Sequence, residues 1–63
     1  MRSAEVAGFA TKKRIFDALY SLVKEQPWKN IKVSDVCNRA NVSRATFYRH
    51  FNSKYDIAVW HSD

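Results

Sequence analysis

The sequence has a single cysteine, Cys37, which excludes an internal disulfide and fits a reducing compartment. It contains no run of about 18 apolar residues, so we expect no membrane-spanning segment. The first ten residues are too polar, and their apolar run is too short, for a secretory signal. These absences predict a cytoplasmic protein without a membrane partner.

Acidic residues are missing from the centre of the chain, where none occurs between Asp35 and Asp56. Segment 29–54 contains six basic residues and one acidic residue, whereas the rest of the chain contains five of each. The whole net charge of +5 therefore lies on this segment. Its charge suits a polyanion such as nucleic acid, but a merely solvated basic face explains the charge alone equally well.

The length of 63 residues predicts one small domain with a modest core. So few helices are not expected to enclose a cleft of about 300 Å³, the size of a small ligand pocket, so we expect no enzyme activity and no cofactor. Cys37 has no second ligand at metal-binding spacing and is interpreted as a small buried apolar residue, so no metal site is expected.

A first helix is predicted from about residue 11 to residue 25, with Thr11 as its N-cap. Pro27 ends it, because the residue before a proline avoids the helical region. Residues 1–10, which hold the only glycine, are predicted to be a flexible lead-in. The apolar positions i, i+4, i+7 and i+8 of this helix are Ile15, Leu19, Leu22 and Val23.

A second helix is predicted over residues 33–40, where apolar residues recur with helical spacing. Its N-cap has two alternatives, because lysine at position 32 cannot cap: Asn30 starts the helix earlier, or Ser34 starts it later. Asn41 tolerates a left-handed backbone, so we expect a short turn there before the next helix.

A third helix is predicted over residues 43–51, with the Ser43 hydroxyl accepting the N–H of Thr46. Its two faces differ in character. The apolar side comprises Val42, Phe47 and Phe51. The opposite side carries two i,i+4 pairs, Arg44 with Tyr48 and Ala45 with Arg49. This pattern describes a helix that is anchored to a core and presents a cationic face outward.

A fourth helix is predicted over residues 53–63, because Ser53 and Asp56 have the spacing of a capping box. It is expected to be still in progress at Asp63, with little in the chain for Trp60 to pack on. The chain is therefore interpreted as truncated. The predicted fold is all-α and homeodomain-like, a small bundle of three helices plus the start of a fourth over residues 11–63, containing a helix-turn-helix.

The run Val42–Phe51, followed by Ser53-Lys54, resembles the recognition-helix signature of the TetR family of bacterial transcriptional regulators. The resemblance extends from about Thr11 to Ile57. The sequence departs from the family at Pro27 and Asn41, where glycine is usual, and at Lys32, where Ser or Thr is common. The family implies sequence-specific binding of a palindromic double-stranded DNA operator, and a repressor is expected. It also implies a C-terminal effector and dimerisation domain absent here, so we expect a homodimeric parent but a monomeric fragment.

A helix-turn-helix places the first residues of its second helix at the base edges of the major groove. Arg44 arrives first and suits the O6 and N7 atoms of guanine, while the Ala45 methyl suits a thymine methyl. Arg49, one turn on, reaches either a base or a phosphate. By resemblance, the residues that hold the DNA backbone or the groove rim are Ser43, Thr46, Tyr48, His50 and Lys54, with Ser34 contacting DNA from the second helix.

Several of these side chains also have purely structural interpretations. Ser43 and Thr46 serve as caps in any such helix, Tyr48 can pack on the core, and His50 can simply end the helix. A helix-turn-helix that binds another protein is the alternative function. The acid-free face favours a polyanion over the mixed charges of a protein surface.

Overall fold

The computed structural model describes the backbone of residues 3–60 and the side chains of residues 8–60. Its α-helices are α1 (Ser3–Val23), α2 (Val33–Ala40), α3 (Arg44–His50) and α4 (Lys54–Val59). A 3-10 helix, Trp28–Asn30, lies between α1 and α2. No strand occurs among these residues, and the predicted all-α class is confirmed. None of the described helices is both long and apolar enough to cross a membrane.

One apolar core joins all four helices, and no polar side chain of the described residues is buried in it. The longest helix, α1, packs against α2, α3 and α4 and so organises the bundle. The buried side chains are Ile15, Ala18, Leu19, Leu22, Ile31, Val36, Cys37, Ala40, Phe47, Phe51 and Ile57. Burial of these side chains is the main favourable contribution to folding.

The first helix begins well before the predicted position. It is helical from Ser3, so the predicted start near residue 11 is wrong. Residues 3–10 of the predicted flexible lead-in belong to α1. The first two residues lie outside the described part of the chain. Several of the early residues are alanines, which favour helix. Phe9 also contacts Trp60, with ring centroids 6.0 Å apart.

The end of α1 also differs from the sequence prediction. The helix ends at Val23 and continues as a turn, in which the N–H of Glu25 donates to the carbonyl of Leu22 at 2.9 Å. Val23 itself is 40% exposed and does not belong to the apolar stripe. It lies about 80° around the helix from Ile15 at 100° per residue, which places it at the edge of the buried face.

The cap of α2 is neither of the two predicted residues. Lys32 occupies the N-cap position, and its own side chain makes no cap bond. The carboxylate of Asp35 accepts the backbone N–H of Lys32 at 3.0 Å instead. A carboxylate in the first turn also complements the helix dipole, so the helix starts at Val33 without a capping side chain at position 32.

The turn between α2 and α3 has the predicted backbone. Asn41 has φ 60° and ψ 47°, the left-handed conformation. The N–H of Val42 donates to the backbone carbonyl of Cys37 at 3.0 Å, so a carbonyl at the end of α2 is bonded across the turn. The guanidinium of Arg14 on α1 donates to the carbonyl of Ala40 at 3.2 Å. The helix-turn-helix is therefore fixed to α1 at its bend.

The last helix is shorter than predicted. It ends at Val59, and Trp60 has an extended backbone, so the predicted continuation of the helix is wrong for Trp60. The prediction for residues 61–63 lies outside the described part of the chain. The predicted capping box is also absent, since Asp56 accepts the N–H of Asn52 at 2.8 Å and Ser53 makes no side-chain cap bond.

Trp60 has more to pack on than the sequence suggested. Its ring centroid lies 5.7 Å from that of Phe16 and 6.2 Å from that of Phe51, in addition to the contact with Phe9. The side chain is half-buried. The early start of α1 supplies one of these partners, Phe9, whereas Phe16 already lay in the predicted helix.

Candidate nucleic-acid interface

Helix α3 is begun by the predicted cap. The hydroxyl of Ser43 accepts the backbone N–H of Thr46 at 3.1 Å and donates to the Thr46 hydroxyl oxygen at 3.0 Å. The Thr46 hydroxyl accepts this bond and keeps its own hydrogen for another acceptor. Both residues therefore have the capping role predicted for them, and Thr46 retains a donor.

The two predicted faces of α3 are present. Phe47 is 0% exposed, and its ring lies 6.0 Å from that of Phe51 in the core. Val42, the third member of the apolar face, is half-buried against the same core. Because these residues hold one side of a seven-residue helix, the opposite side faces solvent.

The solvent face of α3 brings together most of the predicted site residues. Arg44, Ala45 and Arg49 are exposed there, as is Ser43 at the cap. No hydrogen bond or ion pair within the described part of the chain engages either arginine of this face. Two guanidinium groups and a methyl group are thus available to a partner.

Tyr48 combines the two interpretations open to it. Its ring makes an edge contact with Phe47 at 5.0 Å between centroids, yet the residue is 51% exposed. The ring is thus steadied by the core while much of the side chain remains in water. His50 is the last residue of α3 and is half-buried, and Ser34 is half-buried in the first turn of α2.

Arg39 belongs to the basic segment, but its charge is balanced within the protein. Its guanidinium donates to both carboxylate oxygens of Glu25, at 2.8 and 3.1 Å, and to the hydroxyl of Ser21 at 2.7 Å. These bonds lower the pKa of Glu25 and raise that of Arg39. The pair ties the end of α1 to α2 and removes one cation from the excess counted in the sequence.

Lys54 does not join the exposed face of α3. Its ammonium donates to the carbonyls of Trp28 and Ile31, at 2.5 and 2.7 Å. The side chain is half-buried. The phosphate contact predicted for Lys54 therefore competes with two hydrogen bonds inside the protein.

Two exposed lysines lie outside the predicted site. Lys29 and Lys32 lie in the connection between α1 and α2, and no hydrogen bond or ion pair to either side chain occurs among the described residues. The charge count of segment 29–54 already contained them. Together with Arg44 and Arg49, they are the members of the basic segment whose cationic groups have no hydrogen-bond partner among the described residues.

Neither Cys37 nor an open groove between α1 and α2 adds a reactive site among the described residues. Burial raises the pKa of the Cys37 thiol, with Arg44 opposing the shift, so the reactive thiolate is disfavoured. No group of three or more His, Cys, Asp or Glu side chains suited to a metal occurs in the described residues. The groove holds about 440 Å³, which is larger than expected from the sequence. It is lined by Leu22, Glu25, Gln26, Asp35, Asn38 and Arg39.

The groove exceeds the volume expected from the sequence, but it is open to solvent and does not enclose a ligand. Its charged groups are nevertheless used by the fold. Glu25 and Arg39 bind each other, and Asp35 caps α2. Each charged side chain that lines the groove thus has at least one bond within the described part of the fold.

Comparison with known proteins places the helix-turn-helix in a wider group. Residues 15–59 match the family model described as bacterial regulatory proteins of the tetR family. A curated relative, the HTH-type transcriptional regulator AlkX of Mycobacterium tuberculosis, is 33% identical over 55 residues. The match covers 87% of this chain but 26% of AlkX, so the chain spans about a quarter of that relative. No solved structure matches the chain.

Proposed function

Because this chain belongs to the tetR family of bacterial regulatory proteins, we propose that it binds double-stranded DNA sequence-specifically, with α3 in the major groove. The observation that carries the proposal is the exposed face of α3, where Arg44 and Arg49 have no partner in the described part of the chain. A helix backed by a core and fronted by free guanidinium groups suits a groove lined with acceptors.

The side chains divide into those that read bases and those that hold the backbone. Arg44, the first residue of α3, is placed to donate two hydrogen bonds to guanine O6 and N7. The Ala45 methyl contacts a thymine methyl, and Arg49 reaches a base or phosphate one turn further on. The residues that hold phosphates or the groove rim are Ser34, Ser43, Thr46, Tyr48 and His50.

Regulation of transcription follows from occupation of a palindromic operator by a homodimeric parent, and a repressor acts by blocking that site. DNA binding places the protein in the cytoplasm of a bacterium, at the nucleoid. The affinity for any duplex should fall with salt, because each neutralised phosphate releases a counterion.

The proposal is tested by selecting duplexes from a random pool with the protein. Binding of the Arg44→Ala variant to a selected duplex and to a scrambled one of equal composition is then compared. We expect the variant to lose about 1–3 kcal/mol of binding free energy on the selected duplex. Its non-specific binding to the scrambled duplex should change little. Lys29→Ala is the matched control, since it removes one uncompensated positive charge from an exposed position of the same segment, away from α3.

Equal losses on the two duplexes would show that Arg44 contacts only the backbone. If the pool yields no enriched sequence and the protein is retained by no duplex at low salt, the proposal is wrong. A protein partner of the exposed face, the alternative function, would then be the better explanation of its free cations.

A further inference from the structure

The ammonium group of Lys54 is held by three groups from the connection between α1 and α2. It donates to the carbonyls of Trp28 and Ile31. It also lies 4.7 Å from the centroid of the Trp28 ring, within the range of a cation–π contact. Tyr55 supports the same ring by an edge contact at 5.4 Å. We define these contacts of Lys54 as the lysine clamp.

The carbonyl groups in the clamp have few other donors. The Trp28 carbonyl also accepts the N–H of Ile31 at 3.1 Å, which closes the 3-10 turn. No protein donor other than Lys54 serves the Ile31 carbonyl in the described residues, and the Ile31 side chain is 2% exposed. An ammonium that moved to a phosphate would leave this carbonyl without its bond.

The clamp lies close in sequence to the recognition helix. Three residues, 51–53, separate the end of α3 from Lys54. The first of them, Phe51, is in the core, and the second, Asn52, is bonded to Asp56 on α4. The bend before α3 is likewise fixed, by the bond from Arg14 to the carbonyl of Ala40. Helix α3 is thus held at both ends, and Lys54 secures the second one.

We infer that Lys54 is a positioning residue, which keeps α3 in its DNA-binding orientation through the clamp and does not itself bind a phosphate. This inference rests on the proposed function. It differs from the role implied by family resemblance, in which Lys54 holds the DNA backbone. The two roles predict different dependences of DNA binding on salt and different environments for Trp28.

The salt dependence is measured with Lys54→Met, which keeps the aliphatic stem and removes the ammonium. Lys32→Met is the matched control, because it removes the same charge from an exposed position of the same segment. For a positioning residue, Lys54→Met weakens binding to a selected duplex about tenfold, the order of losing one bidentate base contact. Its salt slope on a scrambled duplex stays that of the wild type. Lys32→Met keeps the ratio of selected to scrambled affinity.

The environment of Trp28 is measured by fluorescence in a Trp60→Phe background, where Trp28 is the sole indole. Loss of the ammonium from the ring changes the Trp28 emission in Lys54→Met and leaves it unchanged in Lys32→Met. Adding a selected duplex to the Trp60→Phe protein should leave the emission unchanged, because the clamp stays closed in the complex. If Lys54→Met fails to fold, Lys54→Arg, which keeps the charge but changes the geometry of the donor, is measured in its place.

A salt slope lowered by about one in Lys54→Met, which is the mark of a lost phosphate contact, would overturn the inference. So would a change in Trp28 emission on DNA binding that disappears when Lys54 is replaced. These outcomes leave the proposed function intact, since the wild type still binds a selected duplex. A wild type that binds no duplex overturns the proposed function, and the inference with it.

Discussion

At the residue scale, neighbouring aromatic side chains of α3 have opposite surroundings. Phe47 is fully buried in the core, whereas Tyr48, the next residue, is half exposed and touches Phe47 only edge to face. One step along a helix turns the side chain by about 100°, enough to pass from the core to solvent. The value of each ring to the fold therefore depends on its position and not on its chemistry.

Replacement of Phe47 by alanine should unfold the domain. The substitution removes a fully buried ring, at a typical cost of about 3–5 kcal/mol, and a small domain has little more stability than that. Loss of helical circular dichroism at 25 °C is the measurement. Tyr48→Ala is the control and should stay folded, because its ring is largely in water. A folded Phe47→Ala protein that merely binds DNA poorly would reverse the two faces assigned to α3.

The hydrogen-bond partners of Lys54 and Arg39 could not be predicted from the sequence. Lys54 bonds to residues 23 and 26 positions away, and Arg39 bonds to residues 14 and 18 positions away. Spacing rules describe neighbours three or four residues apart, so they find Lys13 with Asp17 but not these contacts. The sequence identified the exposed arginines of α3, because helical periodicity alone separates them from the core.

At the element scale, α3 is too short to be stable alone. Its seven residues fall below the length at which isolated helices persist in water. Its cap at Ser43, the turn at Asn41 and the packing of Phe47 must therefore supply its order. The first two are local signals, so the sequence located the start of α3 correctly.

The turn makes a prediction that separates backbone from side-chain effects. Asn41 has φ 60°, so Asn41→Ala should destabilise the domain by about 1 kcal/mol, since alanine keeps the Cβ that disfavours this conformation and loses the short polar side chain that lets asparagine adopt it. Asn41→Gly is the control and should be neutral or slightly stabilising. The free energy of unfolding is measured by urea titration. Equal losses for alanine and glycine would mean that the asparagine amide, and not the left-handed backbone, matters at this position.

The ends of α1 and α4 were predicted least well, and for different reasons. The early residues of α1 form helix with alanines and with Phe9, whose partner Trp60 lies far along the chain. In α4, Asp56 has the capping-box spacing but bonds to Asn52, one residue before the predicted partner. Sequence spacing cannot separate two adjacent N–H groups, whereas the fold does.

At the scale of the whole molecule, the described residues form a body of about 40 × 25 × 17 Å around α1. This body holds one helix-turn-helix, and α3, at 1.5 Å per residue, is about 10 Å long. Successive major grooves on one face of DNA are about 34 Å apart. We therefore expect one copy of the chain to fill one half-site and a palindrome to require two copies.

We predict that the 63-residue chain binds as a monomer, with equal affinity per half-site for a half-site duplex and a full palindrome. If one half-site has a dissociation constant of about 10⁻⁵ M, linking two copies at an effective concentration of about 10⁻³ M gives roughly 10⁻⁷ M. That hundredfold gain requires a connection between the copies. Sedimentation equilibrium measures the oligomeric state of the chain, and titration of both duplexes measures the affinity per half-site. A stable dimer in solution, or nanomolar binding to the palindrome by this chain, would show that the described surface itself pairs two copies.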